Sequence, residues 1–565
     1  MLKIPYGISS FAELRNENYF YADKTQYIEL LESYGEKYIF FLRPRRFGKT
    51  LFLSTLENYY DLNKKEEFTE LFSDLYIEKN KTELANSYHI LRFDFSSVAT
   101  ASEEELLYTF LVKVQKAIEV FINKYNLDLQ CPESHDPASM LNLFMARVQG
   151  EIDQEIYVLI DEYDQFANEM LGEENSKFKK AVSQTGFVRR FYQALKEATA
   201  DGVVDRIFAT GVSPITLDSM TSGFNIAAKL TREPDLNEMM GFTAGELKPL
   251  LNSLDISESE KKSLMDKLKE YYNGYLFHQD AKSKVFNSDM VLYFFKYYLR
   301  QHKEPEDLID SNISSDYRKL EQLFALNEEE KTNEILESIL NEELQDVVFT
   351  REFRLDNRFN ADDFKSLLFY LGFLTIKEKT PVNIKLGLPN YAIKEIYFEF
   401  FSKIIEDYSG QEIFSSETRK TVAELALNGN IEPLVEEIEV ILNSLSNRDL
   451  ILFDEKYIKL LFISYLILSK FYNVKSEYEV ETGYIDLVLF KKEIEAVNYE
   501  ALIELKYIKK SDYQKQKSKL LSKKIKEAKE QLLSYGEAEE FKQKENLKKW
   551  IIIFAGAEVV HLEEI

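Results

Sequence analysis

The residues near the start of the chain that are best suited to chemistry form a loop between a predicted strand and a predicted helix. Residues 37–42 are apolar and predict a buried strand, and a helix is predicted from Leu51 onward. At such a helix start, backbone N–H groups point toward phosphate oxygens, a Lys neutralises charge and a Thr hydroxyl ligates Mg²⁺. The loop therefore predicts a nucleoside-triphosphate site. Its candidate phosphate-binding residues are Arg45, Arg46, Phe47, Gly48, Lys49 and Thr50.

A pair of carboxylates further along the chain complements this loop. Asp161 and Glu162 follow the apolar strand predicted at residues 156–160. An Asp in this position can hold Mg²⁺ through water, and the Glu can polarise an attacking water molecule. Thr210, at the end of the next candidate strand, is a candidate contact for the γ-phosphate. We expect ATP and Mg²⁺ as cofactors, with Thr50 and Asp161 closest to the metal.

The loop departs from the common phosphate-binding pattern at its first position. Arg43 stands where a Gly is usual, and Arg does not adopt positive φ as readily as Gly. We therefore expect the entry to this loop to differ from the usual form. A chance Gly-Lys-Thr loop is the alternative, and the acidic pair in the expected context favours the nucleotide site.

A second set of chemically capable residues lies near the end of the chain. Asp486 and Glu504 fall on two predicted strands of a candidate hairpin, and Lys506 shares a strand face with Glu504. Two such carboxylates can hold Mg²⁺, or Mn²⁺, for phosphodiester hydrolysis, and the Lys can orient water or stabilise developing charge. Glu455, on the preceding predicted helix, fits best by position as a further acid of the metal site, and Glu477 is the alternative. The alternative is that Glu504 and Lys506 form an ordinary surface ion pair.

Composition sets limits on the class of protein. The chain has 565 residues, 45% of them apolar, and a net charge of −26. With one cysteine, no visible signal peptide and no apolar run of 18 residues, we expect a cytoplasmic protein without a membrane span. Residues 505–530 hold ten Lys against three acids. This stretch is either a solvated helix face or a contact for backbone phosphates, and its position after Lys506 favours the latter.

The predicted elements divide the chain into three parts. Strands alternating with helices in residues 1–245 predict an α/β domain with a mostly parallel sheet. Residues 246–400 are largely helical and charged, and form a predicted lid or connector. From about residue 455 the order is helix, three strands, helix, strand, and residues 401–565 are therefore predicted to form a second α/β domain.

The chain resembles the AAA-ATPase-like family of bacterial proteins with a C-terminal PD-(D/E)XK nuclease-like domain. The resemblance rests on segments 4–11, 21–25, 41–50, 159–164, 209–212, 272–275 and 388–391. It implies an AAA+-like P-loop domain, a restriction-endonuclease-like domain and a role in defence or mobile-element biology. Gln531 and Tyr535 resemble the Q-x-x-x-Y motif of RecB-type nucleases, which implies a catalytic role for Gln531.

Together these features predict an ATP-controlled, metal-dependent nuclease. Nucleic acid is the expected partner, with DNA favoured over RNA, and a homo-oligomer is a further expectation. One alternative is an ATP-driven switch or interaction protein whose last domain binds nucleic acid without cutting it. Another is an ATPase that acts on a protein target.

Overall fold

The computed structural model describes residues 2–98, 102–166, 186–214, 226–310, 320–324, 329–350, 353, 360–413, 415–445, 454–492 and 497–565. The chain divides into two compact units, residues 1–393 and residues 394–565. Among the described residues, no helix is both long enough and apolar enough to cross a membrane.

The first unit contains a large parallel sheet, a small antiparallel sheet and many helices. Its strands are β1 Tyr38–Leu42, β2 His89–Asp94, β3 Ile156–Asp161, β4 Val204–Gly211, β5 Ala228–Lys229, β6 Gln345–Val347, β7 Thr375–Lys379 and β8 Ile384–Gly387. Its described α-helices are α1 Phe11–Asn16, α2 Gln26–Ser33, α3 Lys49–Tyr60, α4 Phe68–Phe72, α5 Tyr76–Lys79, α6 Glu103–Lys124, α7 Pro137–Val148, α8 Phe187–Ala200, α9 Lys248–Asn252, α10 Glu258–Tyr272, α11 Ser288–Gln301, α12 Leu320–Phe324, α13 Glu329–Leu340 and α14 Ala361–Leu371. Short 3₁₀ turns occupy Leu62–Lys64, Leu230–Arg232 and Pro234–Leu236.

The parallel sheet has the strand order β2-β3-β4-β1-β5. Its central strands are apolar and buried, because helices cover both faces of such a sheet. The strands predicted at residues 37–42 and 156–160, and the one ending at Thr210, are present as β1, β3 and β4, and the α/β fold class is confirmed. Since β4 lies between β1 and β3, the loop after β1 and the acids at the end of β3 flank the end of β4.

The remainder of the first unit is mostly helical, in agreement with the predicted middle region. A three-stranded antiparallel sheet of order β6-β8-β7 interrupts the helices. Helix α14 begins with a capping box at Asn360 and ends at Gly372, whose φ of 87° suits a glycine.

The second unit is a mixed sheet with helices. The division between the units falls inside α15, Tyr391–Ser409. The elements that follow are α16 Ser416–Asn428, α17 Glu432–Leu445, α18 Glu455–Leu468, β9 Tyr472–Val480, β10 Gly483–Lys491, β11 Glu500–Ile508, α19 Lys510–Gly536, α20 Glu539–Lys542, β12 Leu547–Ala555 and β13 Glu558–Glu564. The sheet order is β13-β12-β11-β10-β9.

Within this sheet, β10 pairs antiparallel with β9 and β11, while β11 pairs parallel with β12. The predicted hairpin is therefore present, with Leu487 opposite Ile503. The last strand, β13, has no counterpart in the sequence prediction. Most of its residues are half-exposed, so its hydrophobic pattern is weak.

Candidate functional site

The loop after β1 has the backbone of an anion-binding helix start. Gly48, the N-cap of α3, has a φ of 87°, and Arg46 has a φ of 69°. Gly adopts this left-handed conformation without cost, whereas Arg pays for it, as residues at functional sites often do. The amides of the first turn of α3, including those of Lys49 and Thr50, have no partners within the helix. They form a site of the kind that binds phosphate.

Arg43, which replaces the usual first Gly, has a structural role in this loop. Its side chain is buried and donates to the carbonyls of Leu42, Thr231 and Leu236 at 2.8–2.9 Å. Its guanidinium also lies about 4 Å from the ring centre of Phe41. Burial lowers the pKa of Arg43 to about 9, so it remains charged at neutral pH. Through these hydrogen bonds, Arg43 holds the entry to the loop in place.

Lys49 is held inside the loop. Its Nζ donates to the carbonyl oxygens of Arg43 at 3.1 Å and Pro44 at 3.0 Å. Burial lowers the pKa of Lys49, and the carboxylates of Glu162 and Asp161 oppose that shift. The ammonium therefore sits where phosphate oxygens could replace the two carbonyls as its partners.

Asp161 and Thr210 are brought together by the pairing of β3 with β4. The Thr210 hydroxyl is fully buried and donates to Asp161 Oδ1 at 3.0 Å. Arg92, from β2, lies 3.6 Å from the other carboxylate oxygen of Asp161. Both oxygens are thereby oriented. Arg92 was not among the sequence candidates, because its place beside Asp161 depends on the order of the strands.

Glu162 combines a strained backbone conformation with a raised carboxyl pKa. Its φ of 51° is uncommon for a residue with a side chain, and such strain concentrates at functional sites. Burial raises the pKa of Glu162, while the charge of Lys49 lowers it. The structure therefore brings Glu162, Asp161 and Lys49 into one electrostatic neighbourhood.

The other predicted loop residues have protein partners in this structure. An Arg45 guanidinium nitrogen donates to Gln165 Oε1 at 3.1 Å, and Arg46 forms an ion pair with Asp289 at 3.1 Å. The Phe47 side chain is buried in the core, so only its backbone remains available to a phosphate. Arg45 and Arg46 would have to exchange these partners to contact a nucleotide.

In the second unit, the three residues of the predicted cleavage site meet between β10 and β11. Lys506 Nζ lies 2.5 Å from Glu504 Oε1 and 3.9 Å from Asp486 Oδ2. Asp486 Oδ2 also accepts the N–H of Leu505 at 2.8 Å. The alternation of β11 explains the arrangement, because residues 504 and 506 lie on one face of the strand.

Both carboxylates are held in an environment that resists their ionisation. Burial raises the pKa of Asp486 to about 6 and that of Glu504 to about 7. The charge of Asp486 raises the pKa of Glu504 further, while Lys506 lowers the pKa of both carboxyls. Glu504 is almost completely buried, and its Oε2 lacks a hydrogen-bond partner within the described protein. A buried carboxylate oxygen without a donor is a plain candidate to bind a cation.

The donor set fits a hard divalent cation. Asp486 and Glu504 offer carboxylate oxygens, which Mg²⁺ prefers, and Mg²⁺ commonly binds through one or two carboxylates while keeping several waters. Among the described residues, however, no group of three or more His, Cys, Asp or Glu side chains is placed to hold a metal ion. The protein ligands that the structure supports are therefore these two.

Of the two acids considered as completing this site, Glu455 and Glu477 have different partners. Glu455 begins α18, accepts the N–H of Tyr507 at 3.2 Å, and its charge raises the pKa values of both Asp486 and Glu504. Glu477 has a φ of 48°, and its carboxylate pairs with Lys459 instead. Glu455 is thus the acid that lies nearer to the carboxylate pair.

Gln531 and Tyr535 of α19 also reach this neighbourhood. Gln531 Nε2 donates to the Tyr535 hydroxyl at 3.4 Å. Burial raises the pKa of Tyr535, and the charges of Glu504 and Asp486 add to this shift. A side chain at Gly483 would meet the Tyr535 hydroxyl at 3.2 Å. Gln531 therefore touches the tyrosine, and no described contact joins it to the two carboxylates.

Comparison with known proteins agrees with this geometry. Residues 5–221 match the family described as predicted AAA-ATPase, and residues 453–564 match the PD-(D/E)XK nuclease superfamily. The chain is also 27% identical over 318 residues to an uncharacterized protein from the vnfD 5′ region of Azotobacter chroococcum mcd 1. That match covers 54% of this chain and 55% of the relative, so it spans about half of each. This protein therefore combines a domain of the predicted AAA-ATPase family with a domain of the PD-(D/E)XK nuclease superfamily.

Proposed function

We propose that the first unit binds and hydrolyses ATP. The α3 amides and Lys49 would hold the phosphates, and Thr50 and Asp161 would hold the Mg²⁺ that accompanies ATP. Glu162 would take a proton from the attacking water, since burial keeps the pKa of this carboxyl above its ordinary value. Thr210 would respond to the γ-phosphate, and its hydrogen bond to Asp161 supports this role.

For the second unit, the proposed reaction is hydrolysis of phosphodiester bonds in nucleic acid, with DNA favoured over RNA. The observation that carries this proposal is the contact of Lys506 with both Glu504 and Asp486 around an unpartnered carboxylate oxygen. A divalent cation held by Asp486 and Glu504 would supply Lewis acidity and lower the pKa of bound water. Lys506 would then stabilise negative charge as water adds to phosphorus and the bond to the leaving oxygen breaks.

The two activities in one chain suggest that ATP controls cutting, in a cytoplasmic protein of defence or mobile-element biology that forms homo-oligomers. We also propose that the chain consists of three parts, residues 1–245, 246–400 and 401–565. A second candidate is an ATP-driven protein whose last domain binds nucleic acid without cutting. Failure to cleave nucleic acid with Mn²⁺, while ATP is still hydrolysed, would favour that candidate.

A small chromogenic diester tests the cutting chemistry without requiring nucleic-acid binding. Hydrolysis of bis(p-nitrophenyl) phosphate with Mg²⁺ or Mn²⁺ is expected for the wild type and for Asp512→Ala, which removes an exposed carboxylate of α19. Asp486→Ala should abolish it. Hydrolysis that survives Asp486→Ala would reject the proposed site, and absence of hydrolysis in the wild type would favour the non-cutting candidate.

A further inference from the structure

An exposed tyrosine stands beside the carboxylate pair. Tyr484 lies on β10 two residues before Asp486, and 56% of its surface is exposed. Among the described aromatic residues, only Tyr76, Tyr108 and Tyr484 have more than about a third of their surface exposed. The Tyr76 hydroxyl donates a hydrogen bond to Glu29, which gives this side chain a structural role. Tyr484 is therefore unusual in presenting a ring to solvent next to a candidate catalytic residue.

The charges around Tyr484 disfavour phosphate and permit a base. Glu479 is directly opposite Tyr484 in the β9–β10 ladder, and both side chains are exposed. A carboxylate repels phosphate, but it can accept a hydrogen bond from the exocyclic amino group of a base. The tyrosine ring itself offers a flat, apolar face. Bases stack on such rings with little regard to sequence, because every base has a π-face.

The distance between Tyr484 and Asp486 along β10 suits a single nucleotide step. Residues two apart on a strand are separated by about 7 Å, since the rise per residue is about 3.3 Å. A phosphate beside Asp486 and Lys506 therefore leaves room for the neighbouring base at Tyr484. The cationic Lys506 attracts the phosphate on one side, and Glu479 excludes phosphate from the other.

We propose that Tyr484 is a stacking platform for an unpaired nucleobase next to the scissile phosphate. The preferred substrate would then be single-stranded nucleic acid, or a duplex with an unpaired end, because a paired base is already stacked on its neighbours. This inference rests on the proposed function of the second unit and specifies which form of nucleic acid that site takes.

Binding measured without cutting tests the platform. In an Asp486→Asn background, the Kd of a fluorescent single-stranded oligodeoxynucleotide is compared with and without Tyr484→Ala, in Mg²⁺ buffer. Loss of base stacking predicts a Kd that is weaker by about five- to 150-fold. Tyr484→Phe should restore binding, because it keeps the ring. A 2-aminopurine base in the oligonucleotide should lose fluorescence on binding, and this quenching should disappear in Tyr484→Ala.

Tyr108→Ala is the matched control, since Tyr108 is also an exposed tyrosine and belongs to the other unit. It should leave Kd unchanged. An unchanged Kd in Tyr484→Ala, an equal loss in Tyr484→Phe, or no binding of single strands would overturn the inference. The chromogenic diester has no nucleobase, so failure of the cutting chemistry would be seen there and distinguished from failure of the platform.

Discussion

Lys506 Nζ lies 2.5 Å from Glu504 Oε1, and the two residues are separated by a single position on β11. The same ammonium is 3.9 Å from Asp486. Lys506 therefore provides a positive charge next to the buried Glu504 and the half-buried Asp486. A divalent cation that binds these carboxylates must share them with Lys506, and this competition shapes the expected behaviour of the site.

Metal affinity should depend strongly on pH. Because burial raises the pKa of Asp486 to about 6 and that of Glu504 to about 7, the carboxylates are partly protonated near neutrality. Affinity for Mn²⁺ should rise from about pH 5 to about pH 8, with protons released on binding. Calorimetry in buffers of different ionisation enthalpy measures both quantities. A flat affinity over this range would contradict the account.

The raised pKa values of Asp486 and Glu504 also determine how the stability of the folded protein depends on pH. Folded pKa values above the unfolded values of about 4 mean that the folded protein binds more protons, so stability without metal falls as pH rises through about 4 to 7. Asp486→Asn should reduce this fall in urea denaturation. The exposed Asp512→Asn substitution serves as the control and should leave the pH dependence unchanged.

Glu162→Gln should separate ATP binding from ATP hydrolysis. The substitution keeps the size of the side chain but removes the base, and general-base catalysis typically contributes about 10²–10⁴-fold. We expect hydrolysis to fall by about that factor while ATP affinity stays within a few-fold of wild type. Lys49→Met should instead weaken ATP binding itself. Equal loss of binding in both variants would argue against the assigned roles.

Thr210→Val should slow ATP hydrolysis more than it weakens binding. It removes the hydroxyl that donates to Asp161 at 3.0 Å, and the loss of one such hydrogen bond is worth about tenfold in rate. Thr210→Ser keeps the hydroxyl and is the matched control. Steady-state phosphate release and nucleotide titration provide the two readouts. A Val variant with wild-type turnover would remove Thr210 from the mechanism.

Arg43→Met should destabilise the first unit. Three backbone carbonyls would lose their buried donor, which should cost about 2–5 kcal/mol of unfolding free energy. Urea denaturation measures the change, and Arg147→Met, at an exposed arginine, should have little effect. Arg43→Lys should recover only part of the loss, since Lys lacks the planar fork. If Arg43→Met unfolded at the wild-type midpoint, its structural role would be wrong.

The sequence predicted the strands of the large sheet well because they are continuous apolar runs. It could not predict the contact of Arg92 with Asp161, which exists only because β2 and β3 are neighbours. Position in the sequence favoured Glu455 over Glu477 as the third acid, but the left-handed backbone at Glu477 and its ion pair with Lys459 were not predicted. The weakly patterned β13 also escaped prediction. Long-range pairing and local strain are the physical information that a single sequence does not carry.

The most direct test of the whole account is cleavage of circular and linear DNA, single- and double-stranded, with Mg²⁺ or Mn²⁺, in the presence and absence of ATP. Wild type and Asp486→Ala are compared in parallel. The account predicts that the wild type cuts, that ATP changes the rate, and that Asp486→Ala does not cut. Cleavage that persists in Asp486→Ala, or no cleavage by the wild type under any of these conditions, would contradict it.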